Sequence, residues 1–122
     1  MKKNIAVVGC GYWGKNLVRN FSELNKLHSI SDTKTEITKI YTNEYNVKKS
    51  SFAEIKNDKN IKGVVLAVPA YLHASMAIEA INAGKHILVE KPLAMNEDDA
   101  NKMINAAKKN GVQLMVGHLL QY

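Results

Sequence analysis

The chain has 122 residues, a length typical of one domain that can bury a core of its own. Its composition, 46% hydrophobic and 23% charged, is ordinary for a globular protein, and no apolar run approaches the ~20 residues of a membrane-spanning helix. The net charge of +6 comes from lysines that are scattered along the sequence, without a basic helix face or interleaved aromatic residues, so we expect no nucleic-acid or membrane partner.

The chain has a single cysteine, Cys10, which cannot form an internal disulfide. This fits a reducing compartment, and the apolar stretch near the N-terminus is too short for a signal peptide, so we expect a cytoplasmic location. The four histidines are far apart in the sequence and lack supporting cysteines or acidic pairs. We therefore expect no metal site.

Apolar runs alternate with helical patterns along the whole chain, which is typical of an α/β protein with a parallel sheet. The predicted strands cover residues 5–8, 27–31, 47–49, 63–68, 86–89 and 113–116. The predicted helices cover residues 13–24, 34–44 and 71–83, with a helical turn at 52–57 and a last helix between Asn96 and Gly111. We predict one Rossmann-type domain, a doubly wound parallel sheet in the order 3-2-1-4-5-6, with ligand at the carboxyl ends of strands 1 and 4.

Apolar spacing predicts which helix faces meet the sheet. In the first helix the predicted core positions are Leu17, Phe21 and Leu24, and in the helix at 71–83 they are Leu72, Met76, Ile78 and Ile81. Asn96 followed by Asp99 is typical of a helix N-cap, and the helix that follows should bury Ala100, Met103, Ile104 and Ala107.

The loop after the first strand reads Gly-Cys-Gly-Tyr-Trp-Gly and leads directly into the first helix. Gly9 would permit the tight turn, Gly11 would let a pyrophosphate approach the backbone, and Gly14 would let helix and strand pack closely. Tyr12 and Trp13 should pack around the loop and offer backbone N–H groups to the phosphates. This pattern in this setting predicts a dinucleotide site.

Asp32 comes at the end of the second strand, where a carboxylate can accept hydrogen bonds from the ribose hydroxyls of adenosine. It would also repel a 2′-phosphate, which favours NAD as the cofactor. Neighbouring Lys34 keeps NADP possible. The alternative is that Asp32 is a surface turn residue.

Two further segments follow predicted strands. Pro69 and His73 lie at the predicted switch point, and the imidazole of His73 either hydrogen-bonds ribose or substrate or is simply polar surface. After the fifth strand, Pro92 would hold Glu90 and Lys91 in a rigid turn. The Lys91 ammonium could stabilise a developing alkoxide or help to move a hydroxyl proton, whereas an exposed Lys-Pro turn is the alternative.

Three motifs in order, the glycine loop, Val68-Pro-Ala-Tyr-Leu-His73 and Glu90-Lys-Pro92, resemble the glucose-fructose oxidoreductase, inositol dehydrogenase and rhizopine catabolism (Gfo/Idh/MocA) family. The resemblance implies that Lys91 lies beside nicotinamide and substrate as a catalytic residue, and that the Lys-Pro peptide is often cis. Where relatives commonly have Pro-Asn, this chain has Pro69-Ala70, so a polar contact to the cofactor is lost or replaced.

The same resemblance implies an enzyme that moves hydride between NAD(P) and a sugar, cyclitol or nucleotide-sugar carbon. Family members continue into an α+β domain that supplies the substrate pocket, an acid/base histidine and the main dimer surface. We therefore expect residues 1–122 to be the dinucleotide-binding domain alone, inactive by itself and oligomeric only with the second domain. A non-catalytic nucleotide-sensing module is the alternative.

Overall fold

The computed structural model describes residues 3–9, 14–24, 26–32 and 35–117. The strands in this part of the chain are β1 (Ile5–Val8), β2 (Leu27–Ser31), β3 (Lys48–Lys49), β4 (Gly63–Leu66), β5 (His86–Glu90) and β6 (Leu114–Gly117). The helices are α1 (Gly14–Glu23), α2 (Thr35–Tyr45), α3 (Phe52–Asn57), α4 (His73–Asn82) and α5 (Glu97–Asn110), and a short 3₁₀ turn, Ala70–Leu72, precedes α4.

The described strands form one six-stranded sheet in the order β3-β2-β1-β4-β5-β6, with every neighbouring pair parallel. The predicted fold and strand order are thus confirmed. Since the order reverses between β1 and β4, a crevice opens at their carboxyl ends, which is where open α/β sheets bind ligands.

Alternation along the central strands builds a hydrophobic core on each face of the sheet, because successive strand residues point to opposite faces. Val7 and Val65 pack on one face with Val18 of α1, whereas Val8 and Leu66 pack on the other with the helices that follow β3. The residues of β4 are all buried, as the continuous apolar run predicts.

Side-chain caps fix where two helices begin. Ser51 and Glu54 form a reciprocal capping box at α3, with the Ser51 N–H donating to the Glu54 carboxylate at 2.8 Å and the Glu54 N–H to the Ser51 hydroxyl at 3.1 Å. At α5 the Asn96 side chain accepts from the Asp99 N–H at 2.8 Å, which confirms the predicted N-cap. Gly111 ends the same helix with a φ of 67°.

Several boundaries differ from the prediction by one or two residues. β4 ends at Leu66 instead of residue 68, and the helix expected from residue 71 begins as a 3₁₀ turn, because the Leu72 N–H donates to the Pro69 carbonyl at 2.9 Å. β5 and β6 each run one residue further than predicted, since Glu90 pairs with Gly117 across the ladder.

Two predicted core positions are wrong. Leu24 is 62% exposed because α1 ends at Glu23, and Ile104 is 38% exposed because α5 buries Met103 and Ala107 instead. The side chain of Leu17 lies outside the described part. None of the helices described is both long and apolar enough to cross a membrane.

Lys85 connects two loops at the amino ends of the strands, opposite the crevice. Its residue is 5% exposed, and the ammonium donates to the carbonyls of Asp58 at 2.6 Å and Ile61 at 2.7 Å. Burial lowers the pKa of Lys85 below its usual value, and the attraction of Asp58 opposes this only in part. The amine therefore stabilises the turn that leads into β4.

Candidate functional site

A cleft with a volume of about 910 Å³ lies at the carboxyl ends of four neighbouring strands. Gly9 lines it after β1, Asp32 after β2, Lys49 from β3 and Pro69 after β4. Ligand clefts have volumes of roughly 300–1,000 Å³, so the space suits a large ligand such as a dinucleotide. The cleft lies at the switch point where the sequence predicts ligand.

Gly9 is required by the geometry of this crevice. Its φ is +84°, and a Cβ atom built there would lie 2.7 Å from both the Ala67 carbonyl oxygen and the Val68 Cγ1. Its N–H donates to the Ser31 carbonyl at 2.7 Å, which joins the ends of β1 and β2. The predicted need for glycine at this turn is confirmed, whereas its contact with a cofactor remains a prediction.

The rest of the glycine loop, including Gly11, Tyr12 and Trp13, lies outside the described residues, as do Cys10 and Lys34. The chain is described again from Gly14, where α1 begins. The first turn of a helix presents unpaired N–H groups and the positive end of the helix dipole. The start of α1, five residues after Gly9, is therefore suited to an anionic ligand.

Asp32 lies directly after β2 and is partly buried in the wall of the cleft. Since β2 is the neighbour of β1, the Asp32 carboxylate lies on the side of the switch point that is formed by β1, β2 and β3. That position favours the prediction of a ribose contact over the alternative of a surface turn.

The turn between β3 and α3 also lines the cleft, which the sequence analysis missed. Lys49 and Ser51 are among its wall residues, together with Glu54. Hydrogen bonds from the backbone and then the side chain of Ser51 hold the pKa of the Glu54 carboxyl below its usual range. The predicted strand order places β3 beside β2, so residues after position 49 could have been expected at this edge.

Of the two interpretations of His73, the structure excludes polar surface, and a contact with ribose or substrate remains a prediction. His73 is 2% exposed, so it is not polar surface. Its Nδ1 lies 2.9 Å from the Pro92 carbonyl oxygen and 3.3 Å from that of Leu93, and its Nε2 lies 3.0 Å from the Val68 carbonyl oxygen. Both ring nitrogens thus lie within hydrogen-bond distance of backbone carbonyls, in the loop after β4 and in the turn after β5.

The Glu90-Lys91-Pro92 turn follows β5, next to β4 in the sheet. Glu90 is the last residue of β5, and the Lys91 N–H donates to the Gly117 carbonyl at 3.2 Å, so the backbone is anchored up to Lys91. The Lys91–Pro92 peptide is cis, as the family resemblance implies. The Lys91 side chain is exposed and does not line the cleft itself.

The site thus combines the start of α1, which is suited to an anion, with the partly buried carboxylate of Asp32 in the cleft wall, and the exposed Lys91 lies on the turn after the next strand, β5. Within the described ranges, no three His, Cys, Asp or Glu side chains lie together in a way that could hold a metal ion. The arrangement suits nucleotide binding beside a cationic group.

Comparison with known proteins gives matches over nearly the whole chain. Residues 3–118 match the sequence model GFO_IDH_MocA, an oxidoreductase family with an NAD-binding Rossmann fold. The 2,7-anhydro-N-acetylneuraminate hydratase of Escherichia coli (strain K12) is 32% identical over 98% of this chain and 32% of its own. An inositol 2-dehydrogenase of Salmonella paratyphi B is 32% identical over 60% of this chain and 22% of its own.

A solved structure, an NAD binding oxidoreductase from Klebsiella pneumoniae, superposes with a TM-score of 0.81 at 30% identity. The superposition covers 96% of this chain and 34% of that one. The chain therefore spans about a third of the length of the proteins that it matches over most of its residues.

Proposed function

This chain belongs to the Gfo/Idh/MocA oxidoreductase family, and on that premise we propose that it is the cofactor-binding part of an enzyme that oxidises a hydroxyl carbon of a sugar, cyclitol or nucleotide sugar. The observation that carries the proposal is the cleft at the switch point, which Gly9, Asp32 and Pro69 line. Lys91 lies outside this lining, on the turn after the neighbouring strand β5. Substrate binding and a catalytic acid/base group are assigned to a second domain in the whole enzyme.

The residues present fit a nicotinamide dinucleotide. The start of α1 would hold the pyrophosphate, and Asp32 would hold the adenosine ribose. A dinucleotide crosses the switch point, so its nicotinamide half belongs beside β4 and β5, the strands that precede Pro69 and Lys91. Bound nicotinamide would supply the hydride acceptor.

Asp32 makes NAD the preferred cofactor. A carboxylate at the ribose accepts hydrogen bonds from its hydroxyls and repels a 2′-phosphate. Lys49 lines the same cleft and reduces this repulsion without providing a hydrogen-bond acceptor for the ribose.

Isothermal titration of the chain with NAD and NADP tests this proposal. The unmodified chain should bind NAD more tightly than NADP. Asp32→Asn should lower the ratio of the two affinities by roughly tenfold, which is the effect expected from losing a charged hydrogen-bond partner. Glu54→Gln is the matched control, because it removes a carboxylate from the same cleft without removing the ribose contact. A folded chain that binds neither dinucleotide would refute the proposal.

Lys91 is the proposed catalytic residue. Its backbone is anchored to β6 while its side chain is free to extend from the turn, so the ammonium can approach a hydroxyl that binds over the nicotinamide. There it would stabilise the alkoxide that forms as the hydroxyl proton leaves. In the whole enzyme, Lys91→Ala should lower kcat at least a hundredfold with little change in the affinity for NAD.

The hydratase name of the Escherichia coli relative bears on the assay, because a hydratase has no net redox change. Turnover in the whole enzyme should therefore be followed both as NADH formation and as substrate loss. If Lys91→Ala left both rates unchanged, the catalytic role of Lys91 would be wrong, and if the unmodified whole protein showed neither reaction, a non-catalytic nucleotide-binding role would replace the enzymatic one.

A further inference from the structure

We propose that His73 is a positioning residue, which clamps the loop after β4 to the turn after β5 and thereby fixes the nicotinamide half of the site. The proposal rests on the function proposed above. It assigns to His73 an action through backbone carbonyls rather than a contact with the cofactor.

Past their last paired residues, β4 and β5 continue to hydrogen-bond to their other neighbours in the sheet. The two strands pair up to Leu66 and Val89. Beyond that pair, the Ala67 N–H donates to the Val8 carbonyl on the β1 side, and the Lys91 N–H donates to Gly117 on the β6 side. The two segments thus hydrogen-bond to strands on opposite sides of the β4–β5 pair.

The His73 ring contacts both of these segments. As the first residue of α4, it places Nε2 3.0 Å from the Val68 carbonyl and Nδ1 2.9 Å from the Pro92 carbonyl. Carbonyl oxygens only accept, so the ring donates to both loops at once when both of its nitrogens carry a hydrogen, whereas a neutral ring, with one N–H, donates to one of them. With 2% exposure, these hydrogen bonds are shielded from competing water.

Each clamped loop carries part of the site. Val68 and Pro69 form the wall of the cleft after β4, and Pro92 directly follows Lys91. The imidazole therefore sets how far the Lys91 backbone lies from that wall. The adenosine half of the site, at β1 and β2, has no contact with His73 among the hydrogen bonds described.

This division predicts a selective effect on the two halves of the cofactor. ADP-ribose contains the adenosine, the pyrophosphate and the second ribose but lacks nicotinamide. His73→Phe keeps a ring of similar size and removes both nitrogens. It should weaken NAD binding by roughly three- to tenfold, the range for one lost hydrogen bond, and change ADP-ribose binding less than twofold.

Isothermal titration with NAD and ADP-ribose on the 122-residue chain gives the test. Ile81→Val is the matched control, because Ile81 is buried in the same helix but eight residues further on, about 12 Å along its axis. It should lower stability without changing the ratio of the two dissociation constants. Should His73→Phe fail to fold, His73→Gln retains a side-chain N–H donor and should show a smaller change in the same ratio.

The outcomes separate this inference from the function on which it rests. If the unmodified chain bound neither ligand, the proposed function would fail. If it bound both and the His73 variants left the ratio unchanged, or weakened both ligands equally, His73 would have only a structural role and the clamp would be refuted.

Discussion

Replacing Gly9 by alanine should cost more stability than the same change at Gly84, although both glycines have a φ of +84°. At Gly84 an added Cβ meets nothing within 4 Å. Alanine there should therefore lower stability only by the strain of the left-handed backbone, about 1–2 kcal/mol. At Gly9 the same Cβ would lie 2.7 Å from the Ala67 carbonyl oxygen and the Val68 Cγ1. Crowding of a packed site adds about 1–3 kcal/mol, for a total of roughly 2–5 kcal/mol.

Urea unfolding at 25 °C, followed by far-UV circular dichroism, measures both losses on the same scale. Gly84→Ala should keep its affinity for NAD, because it lies at the other end of the sheet, after α4. Gly9→Ala should lose NAD affinity as well as stability, since the backbone it must displace belongs to the wall of the cleft. Equal losses of stability in the two variants would mean that β1 and β4 do not approach as closely as described.

Three smaller effects follow from caps and from the buried amine, each measured as the unfolding free energy in urea. Ser51→Ala removes the hydroxyl that accepts from the Glu54 N–H in the capping box and should cost about 1 kcal/mol, and Ser51→Thr, which keeps a hydroxyl, should cost less. Asn96→Ala should cost a similar ~1 kcal/mol by removing the cap of α5, and a loss near zero would show that water replaces the cap. Folding lowers the pKa of Lys85 below its usual value of 10.5. At pH values between the two pKa values the unfolded chain keeps a proton that the folded chain has lost, so the free energy of unfolding should rise with pH there. Lys85→Met should abolish that rise, and an unchanged slope would show that another group produces it.

Much of the sheet could be predicted from the sequence because strands such as β1 and β4 are short apolar runs close to a glycine, whereas β3 consists of two exposed lysines. Gly84 and Gly111 end helices with positive φ, and Asn96 begins one, as their residue types predict. Local signals of this kind depend on a few neighbouring residues. The helix ends that they predict are therefore the helix ends found in the folded chain.

Contacts between distant segments could not be predicted in the same way. His73 meets carbonyls 5 and 19 residues away, and Lys85 meets carbonyls 24 and 27 residues away. In the first turn of a helix, the sequence alone does not distinguish a buried histidine from a surface one. Only the packing of α4 against the ends of β4 and β5 distinguishes them.

The failures at Leu24 and Ile104 have a related cause. Apolar periodicity identifies a face of a helix, but the last residue that the sheet covers depends on where the helix ends and how it is rotated. Leu24 lies just beyond the last residue of α1, and on α5 the buried positions centre on Met103 and Ala107. Both misplaced side chains lie at the margin of a correctly predicted face.

The most direct test of the proposed dinucleotide site is to follow the backbone amides of the isotope-labelled chain by NMR while NAD is added. The largest shifts should fall at the carboxyl edge of the sheet, on Gly9, Asp32, Val68 and Lys91, with Lys85 and Gly111 unchanged at the opposite edge. Shifts confined to Gly9 and Asp32 would place only the adenosine half in the cleft. Shifts centred on Lys85, or none at saturating NAD, would contradict a dinucleotide site at the β1/β4 switch point.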